Sequence, residues 1–106
     1  MNDKKDRDSY CEEFAIFNVT ERNYSRVIEL SLSIFEEINA EEELIIAHNI
    51  FQKTDNNEEL CWHLTWKNKE AVDATATKWP SYPSTKELES LVGDKLYYGH
   101  FFKIAK

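Results

Sequence analysis

The chain has 106 residues, 20 of them acidic and 13 basic, for a net charge of -7, with 42% apolar residues and only two Gly and two Pro. This length suits one domain rather than two, and the acidic balance argues against binding to nucleic-acid phosphates or anionic membranes. No apolar run approaches the ~20 residues that a membrane span needs, and Met1–Ser9 has no apolar stretch that would make it a leader, so a cytoplasmic protein is expected.

Residues 1–11 read as a disordered polar tail, because Asp3 to Asp8 offer nothing apolar to offset the entropy of ordering. A single domain is expected over 12–106. Glu13 to Val19 is a short apolar, aromatic run of strand length. Thr20 or Asn23 can cap the helix that follows. From Asn23 to Ile38 the period changes: Tyr24, Val27, Ile28, Ser31, Ile34, Phe35 and Ile38 share one helical face. Glu41 to Glu43 form a solvated acidic loop.

Leu44 to Gln52 is predicted as the second strand, and Lys53 to Glu58 supply turn chemistry. In the third strand, Glu59 to Trp66, Leu60, Trp62, Leu64 and Trp66 alternate with Cys61, His63 and Thr65. Asn68 can cap a helix running through Ala71, Val72, Ala76 and Trp79 and ending at Pro80. Trp79 to Pro83 is a stiff aromatic loop. Ser84 to Glu87 fits the capping box S-x-x-E, opening a short helix of Leu88, Leu91 and Val92 that Gly93 is placed to end. Lys95 to Ile104 is the last strand.

The expected fold is therefore α+β: a ferredoxin-like βαββαβ antiparallel sheet with an extra short helix before the last strand, both main helices on one face. The other face is left uncovered, and a second subunit is its simplest cover. A turn centred between Asp55 and Asn56 sets His48 opposite His63, Ile50 opposite Cys61 and Ile46 opposite Thr65 on that face. Asn49 with Trp62 and Ala47 with Leu64 then belong to the helix-packed side. Two imidazoles and a thiol could bind a transition metal, but no carboxylate completes the set, and no metal site is expected. Cys11 and Cys61 lack a C-x-x-C spacing and read as reduced thiols.

The stretch Leu64-Thr65-Trp66-Lys67-Asn68-Lys69-Glu70-Ala71 resembles the third-strand end and following helix start of the antibiotic-biosynthesis-monooxygenase-like (ABM) family. The element order agrees with that family over nearly the whole chain after residue 12. The resemblance implies a dimeric α+β barrel, a homodimer whose two sheets face each other, with a pocket between each sheet and its own helices. It implies cofactor-independent monooxygenation of an aromatic or quinol-like molecule. In such enzymes an Asn near the first-strand end and the third-strand Trp line the pocket, matching Asn18 and Trp66 here. The haem-degrading branch carries an iron-ligating His in the second-helix region. Ala71 to Val92 holds none, so no haem is expected, and the cofactor-independent chemistry that the resemblance implies calls for no other cofactor.

In cofactor-free oxygenation the substrate, once deprotonated, supplies the electrons. The protein must hold the anion away from water. The Asn18 amide can donate to the anionic oxygen, and Trp66 gives a flat wall with an N–H donor. His100, on the last strand, could act as a base near neutral pH. Trp62, Trp79, Tyr82 and Tyr98 are the expected pocket aromatics. Two other readings share the fold: a non-catalytic dimer that binds a small apolar ligand, and a structural dimer with a solid core.

Overall fold

The computed structural model describes residues 9–105; the first eight residues of the tail expected over 1–11 lie outside them. Four strands and three α-helices follow in the order β1 (Cys11–Asn18), α1 (Tyr24–Ile38), β2 (Ile45–Lys53), β3 (Asn56–Trp66), α2 (Lys69–Lys78), α3 (Thr85–Leu91) and β4 (Lys95–Phe102). Single 3-10 turns precede α1 (Glu21–Asn23) and follow α2 (Trp79–Ser81). The strands form one antiparallel sheet of order β2-β3-β1-β4, the ferredoxin-like arrangement. Cys11, assigned to the tail from sequence, opens β1 and is buried.

Alternation decides which side of the sheet is the core. Cys11, Glu13, Ala15 and Phe17 of β1 and Leu60, Trp62, Leu64 and Trp66 of β3 are all buried on the helix side. Helix α1 answers with Val27, Leu30, Ser31, Ile34, Phe35 and Ile38, a stripe at three- and four-residue spacing. Its one polar member is satisfied: Ser31 Oγ donates to the Val27 carbonyl (2.7 Å) and accepts from Trp62 Nε1 (3.1 Å). Trp62 sits edge-on to both Phe35 and Phe17, with ring centroids 5.0 and 5.5 Å away.

Several local expectations need correction. The hairpin turn is tight, with Lys53 opposite Asn56, and the ladder then steps to Gln52 opposite Leu60. Residues 57–59 are thus extra on β3, and the body of the hairpin is one residue out of the predicted register. His48 faces Leu64 and Asn49 faces His63. The two imidazoles therefore lie on opposite sides of the sheet: His48 against Phe35 of α1 (4.9 Å), His63 stacked on Phe14 (4.6 Å). Among the described residues no His, Cys, Asp and Glu cluster could hold a metal.

Of the predicted caps, Asn68 holds: its Oδ1 accepts from the Ala71 N–H at 2.8 Å. Ser84 does not form the capping box. It has helical backbone, and its N–H and hydroxyl both turn to the Glu37 carboxylate, while Glu87 pairs with Arg26. These contacts dock α3 on α1 instead. Neither Thr20 nor Asn23 makes a side-chain cap. Gly93 is no left-handed terminator, because no residue among those described has positive φ; α3 stops where Val92 turns extended. Among the described residues no helix is long and apolar enough to cross a membrane.

Candidate functional site

A cavity of about 350 Å³ lies between the helix-facing side of β1, β3 and β4 and the helices α2 and α3. Strand alternation puts Glu13, Ala15 and Phe17 on its floor, and Trp62, Leu64 and Trp66 beside them. Val72, Thr75 and Ala76 of α2 and Leu88 of α3 form the roof, with Trp79, Lys95 and Tyr98 at its edges. The void exists because α2 is light where it crosses the sheet. Its inward positions are Ala71, Val72 and Thr75 rather than Leu or Phe, and short side chains cannot reach the floor.

One carboxylate stands in this apolar space. Glu13 is only 4% exposed, and its Oε1 accepts from Trp66 Nε1 at 3.0 Å and lies 3.1 Å from His100 Nε2. The register explains the meeting: β1 runs between β3 and β4, Glu13 is directly opposite Leu64 and His100, and Trp66 lies two residues further along β3. Both bonds fall on one oxygen, and no described residue bonds Oε2. Burial raises the carboxyl above its ordinary range; His100, the Trp66 N–H and Lys95 oppose that rise without cancelling it. Tyr98, edge-on to the His100 ring at 5.0 Å, has its phenol pushed up to about 12 by desolvation and by the nearby Glu13 and Cys11. Lys95 Nζ sits 4.6 Å over the Tyr98 ring.

The residues singled out from sequence divide between the cavity and its surroundings. Trp62, Trp66, Trp79 and Tyr98 border the cavity. His100 does not line it but backs Glu13 from the edge strand. Tyr82 ends the turn after α2 and packs on the core, away from the lining. Asn18 is also outside the lining, since alternation turns it to the opposite side from Phe17. Its backbone instead clasps the α3–β4 connection: the Gly93 N–H donates to the Asn18 carbonyl (2.7 Å) and the Asn18 N–H to the Asp94 carbonyl (3.2 Å). A Cβ on Gly93 would meet Asn18 Cβ at 3.4 Å, an ordinary contact distance, so it is the backbone pairing rather than space that joins the two residues.

The indole of Trp66 is a wall, but its N–H is already given to Glu13. The same holds for Trp62, which donates to Ser31, and Trp79, which donates to Glu89 Oε2 at 2.7 Å. Glu13 is the candidate group within the cavity that sequence reasoning did not single out. Its only sequence signal was a charged residue in phase with Ala15 and Phe17. Both thiols are free, Cys11 toward the helices and Cys61 on the open side, and burial raises both above the ordinary thiol range.

No protein-family model matches the sequence, and no curated protein does. Solved structures do match. A conserved protein of unknown function from Bacteroides thetaiotaomicron, described as a possible oxidoreductase, is 19% identical with a TM-score of 0.72, over 91% of this chain and 99% of that one. A Deinococcus radiodurans protein, provisionally an antibiotic biosynthesis monooxygenase, is 10% identical with a TM-score of 0.71, over 91% and 94%. An asparagine-to-alanine variant of SnoaB, a cofactor-independent oxygenase from Streptomyces nogalater, is 14% identical with a TM-score of 0.70, over 92% and 96%. Identity this low carries the architecture: the chain has the ferredoxin-like α+β fold of ABM-like proteins.

Proposed function

From this shared fold and the cavity within it, we propose that the chain binds a small aromatic or quinol-like molecule and oxygenates it with electrons drawn from the substrate itself. The observation that carries the reading is Glu13, a desolvated carboxylate on the floor of a tryptophan-walled cavity. The volume and the few convergent polar groups suit a small-molecule site. A base whose affinity for protons is raised by burial is better matched to a phenol than an ordinary carboxylate. Glu13 is the proposed catalytic base, taking the phenolic proton on Oε2. His100 and Trp66 act as positioning residues, fixing the carboxylate through Oε1. Trp62, Trp66 and Trp79 hold the ring, and Asn18 braces the connection that carries Val92 and Gly93.

The reaction balances with dioxygen alone. The anion passes electrons to O2; one oxygen atom bonds the ring carbon, which becomes a carbonyl. The second leaves as water, carrying the ring hydrogen and the hydroxyl hydrogen. A phenol thus becomes a quinone. A low-dielectric cavity supports this by keeping water from competing for the anion.

The exposed side of the sheet supports a second subunit. Phe51, Tyr97 and Phe101 are each about half exposed there (52%, 45% and 47%), and Phe14 and Ile16 lie between them. We propose that a second copy of the chain covers this face, as the fold's dimeric barrel would have it.

Oxygen uptake with a panel of naphthols, beside chemical-shift titration of the same compounds, tests the functional reading. Wild-type protein is expected to consume oxygen above the buffer rate, and Glu13→Gln to lose about a hundredfold or more of kcat. Binding without uptake would leave a ligand-binding protein and end the catalytic claim. Naphthols that bind and turn over equally well in Glu13→Gln would remove the base.

A further inference from the structure

Thr75 points beyond that reading, on which this inference rests. It lies on α2, is 4% exposed and borders the cavity. Its Oγ1 is the one buried side-chain polar atom among the described residues without a hydrogen-bond partner. A threonine inside a helix normally relieves itself by donating to the carbonyl one turn back, as Ser31 does to Val27 and Thr77 does to Asp73. Thr75 makes no such bond. A buried hydroxyl without a partner costs more than the valine of the same shape would, so the oxygen is kept against stability.

The rest of the wall makes this orphan the natural contact for a ligand. The three indole N–H groups that border the cavity are each taken by a protein oxygen. Glu13 supplies a proton acceptor, so a ligand must bring it an acidic hydrogen. When that hydrogen leaves, negative charge spreads through the ring onto any conjugated carbonyl oxygen, which then needs a donor. Lys95 and Tyr98 stand at the cavity edge, the Lys95 Nζ over the Tyr98 ring and the Tyr98 hydroxyl 3.5 Å from His100 Nε2; within the buried wall, Thr75 is the uncommitted hydroxyl available to give one. We infer that Thr75 is a specificity-determining ligand donor, and that the cavity selects aromatic molecules bearing both a phenolic hydroxyl, for Glu13, and a carbonyl oxygen, for Thr75.

The test uses two-ring probes that differ in one group: a hydroxytetralone with phenol and ketone at opposite ends, tetralone with the ketone alone, and tetrahydronaphthol with the phenol alone. Binding is read from chemical shifts of the three indole N–H signals in full-length wild type, Thr75→Val and Thr75→Ser. Thr75→Val is expected to weaken hydroxytetralone and tetralone about three- to tenfold, the worth of one net hydrogen bond, and to leave tetrahydronaphthol unchanged. Thr75→Ser is expected to keep wild-type affinities. Thr75→Val is also expected to melt no lower than wild type, so that a loss of binding cannot be a loss of fold. Equal effects on ketone and phenol probes, or none on either, overturn the inference while leaving the cavity reading intact. Failure of every probe to shift the indole signals in wild type overturns both.

Discussion

Glu13 keeps its carboxyl beneath Trp66 and beside His100, where desolvation favours the uncharged form. The folded-state pKa is raised above the unfolded value, so the native state holds the proton more tightly. The stabilising contribution is therefore complete below the ordinary value of 4.5 and is lost as pH rises through the raised value. Urea unfolding of wild type and Glu13→Gln at a series of pH values checks this: the variant should gain on the wild type as pH climbs from 4.5. A constant difference would mean that the carboxyl titrates alike in both states. Removing one donor should raise the carboxyl further, so Trp66→Phe is expected to move the acidic limb of any kcat/KM profile to higher pH. Glu13 was hard to read in the sequence because a charged residue at the start of a hydrophobic run looks like a boundary. Only the pairing of three strands brings its partners, 53 and 87 positions away, to one oxygen. Alternation alone marked Trp66 only as a core position; it was the resemblance of Leu64 to Ala71 to the ABM-like third-strand end that pointed to it as a pocket residue.

At the scale of elements, one side chain makes three of the bonds that hold the connection between α1 and β2, beside the Lys67 N–H to the Leu44 carbonyl and the Lys67–Glu42 ion pair. Asn39 Oδ1 accepts from the Leu44 and Ile45 N–H groups (3.0 and 2.9 Å), and its Nδ2 donates to the Ile45 carbonyl (2.9 Å). Asn39→Ala is expected to cost about 2–3 kcal/mol in urea unfolding, roughly 1 kcal/mol per bond in this half-buried setting. A loss under 0.5 kcal/mol would show that water replaces the side chain freely. The elements themselves were legible because each has a clean period: four turns of α1 stripe, two-residue alternation in β3, an apolar run in β1. The hairpin register was not. Lys53 to Glu58 are all turn-compatible, so the sequence admits several centres, and nothing in it marks residues 57–59 as extra. One slipped position was enough to separate His48 from His63. The Ser84 capping box failed for a related reason: Ser84 and Glu87 suit each other locally, but Glu37 and Arg26 compete for them from another helix.

For the molecule as a whole, the shape is telling. The described chain measures 47 × 32 × 19 Å, with a radius of gyration of 14.4 Å, against about 13 Å for a compact chain of this length. It is a slab with helices on one side and aromatic residues on the other. Gly99 shapes that second side, since a Cβ there would come within 2.8 Å of the Tyr97 hydroxyl, whose ring stacks toward Phe101 at 6.4 Å. If a second copy completes the slab, sedimentation should give a dimer, and Phe101→Lys should give a folded monomer with unchanged circular dichroism. A monomeric wild type would refute the pairing. The cavity belongs to one chain, so the monomeric variant should still bind the hydroxytetralone. The three tryptophans around that cavity carry a last consequence. Each indole is tethered to a different part of the slab: Ser31 in α1, Glu13 in β1, Glu89 in α3. None can swing aside without abandoning its tether. The chamber should behave as a gauge of fixed bore: molecules that fit will bind with little adjustment, and a ring too many will be refused outright rather than accommodated.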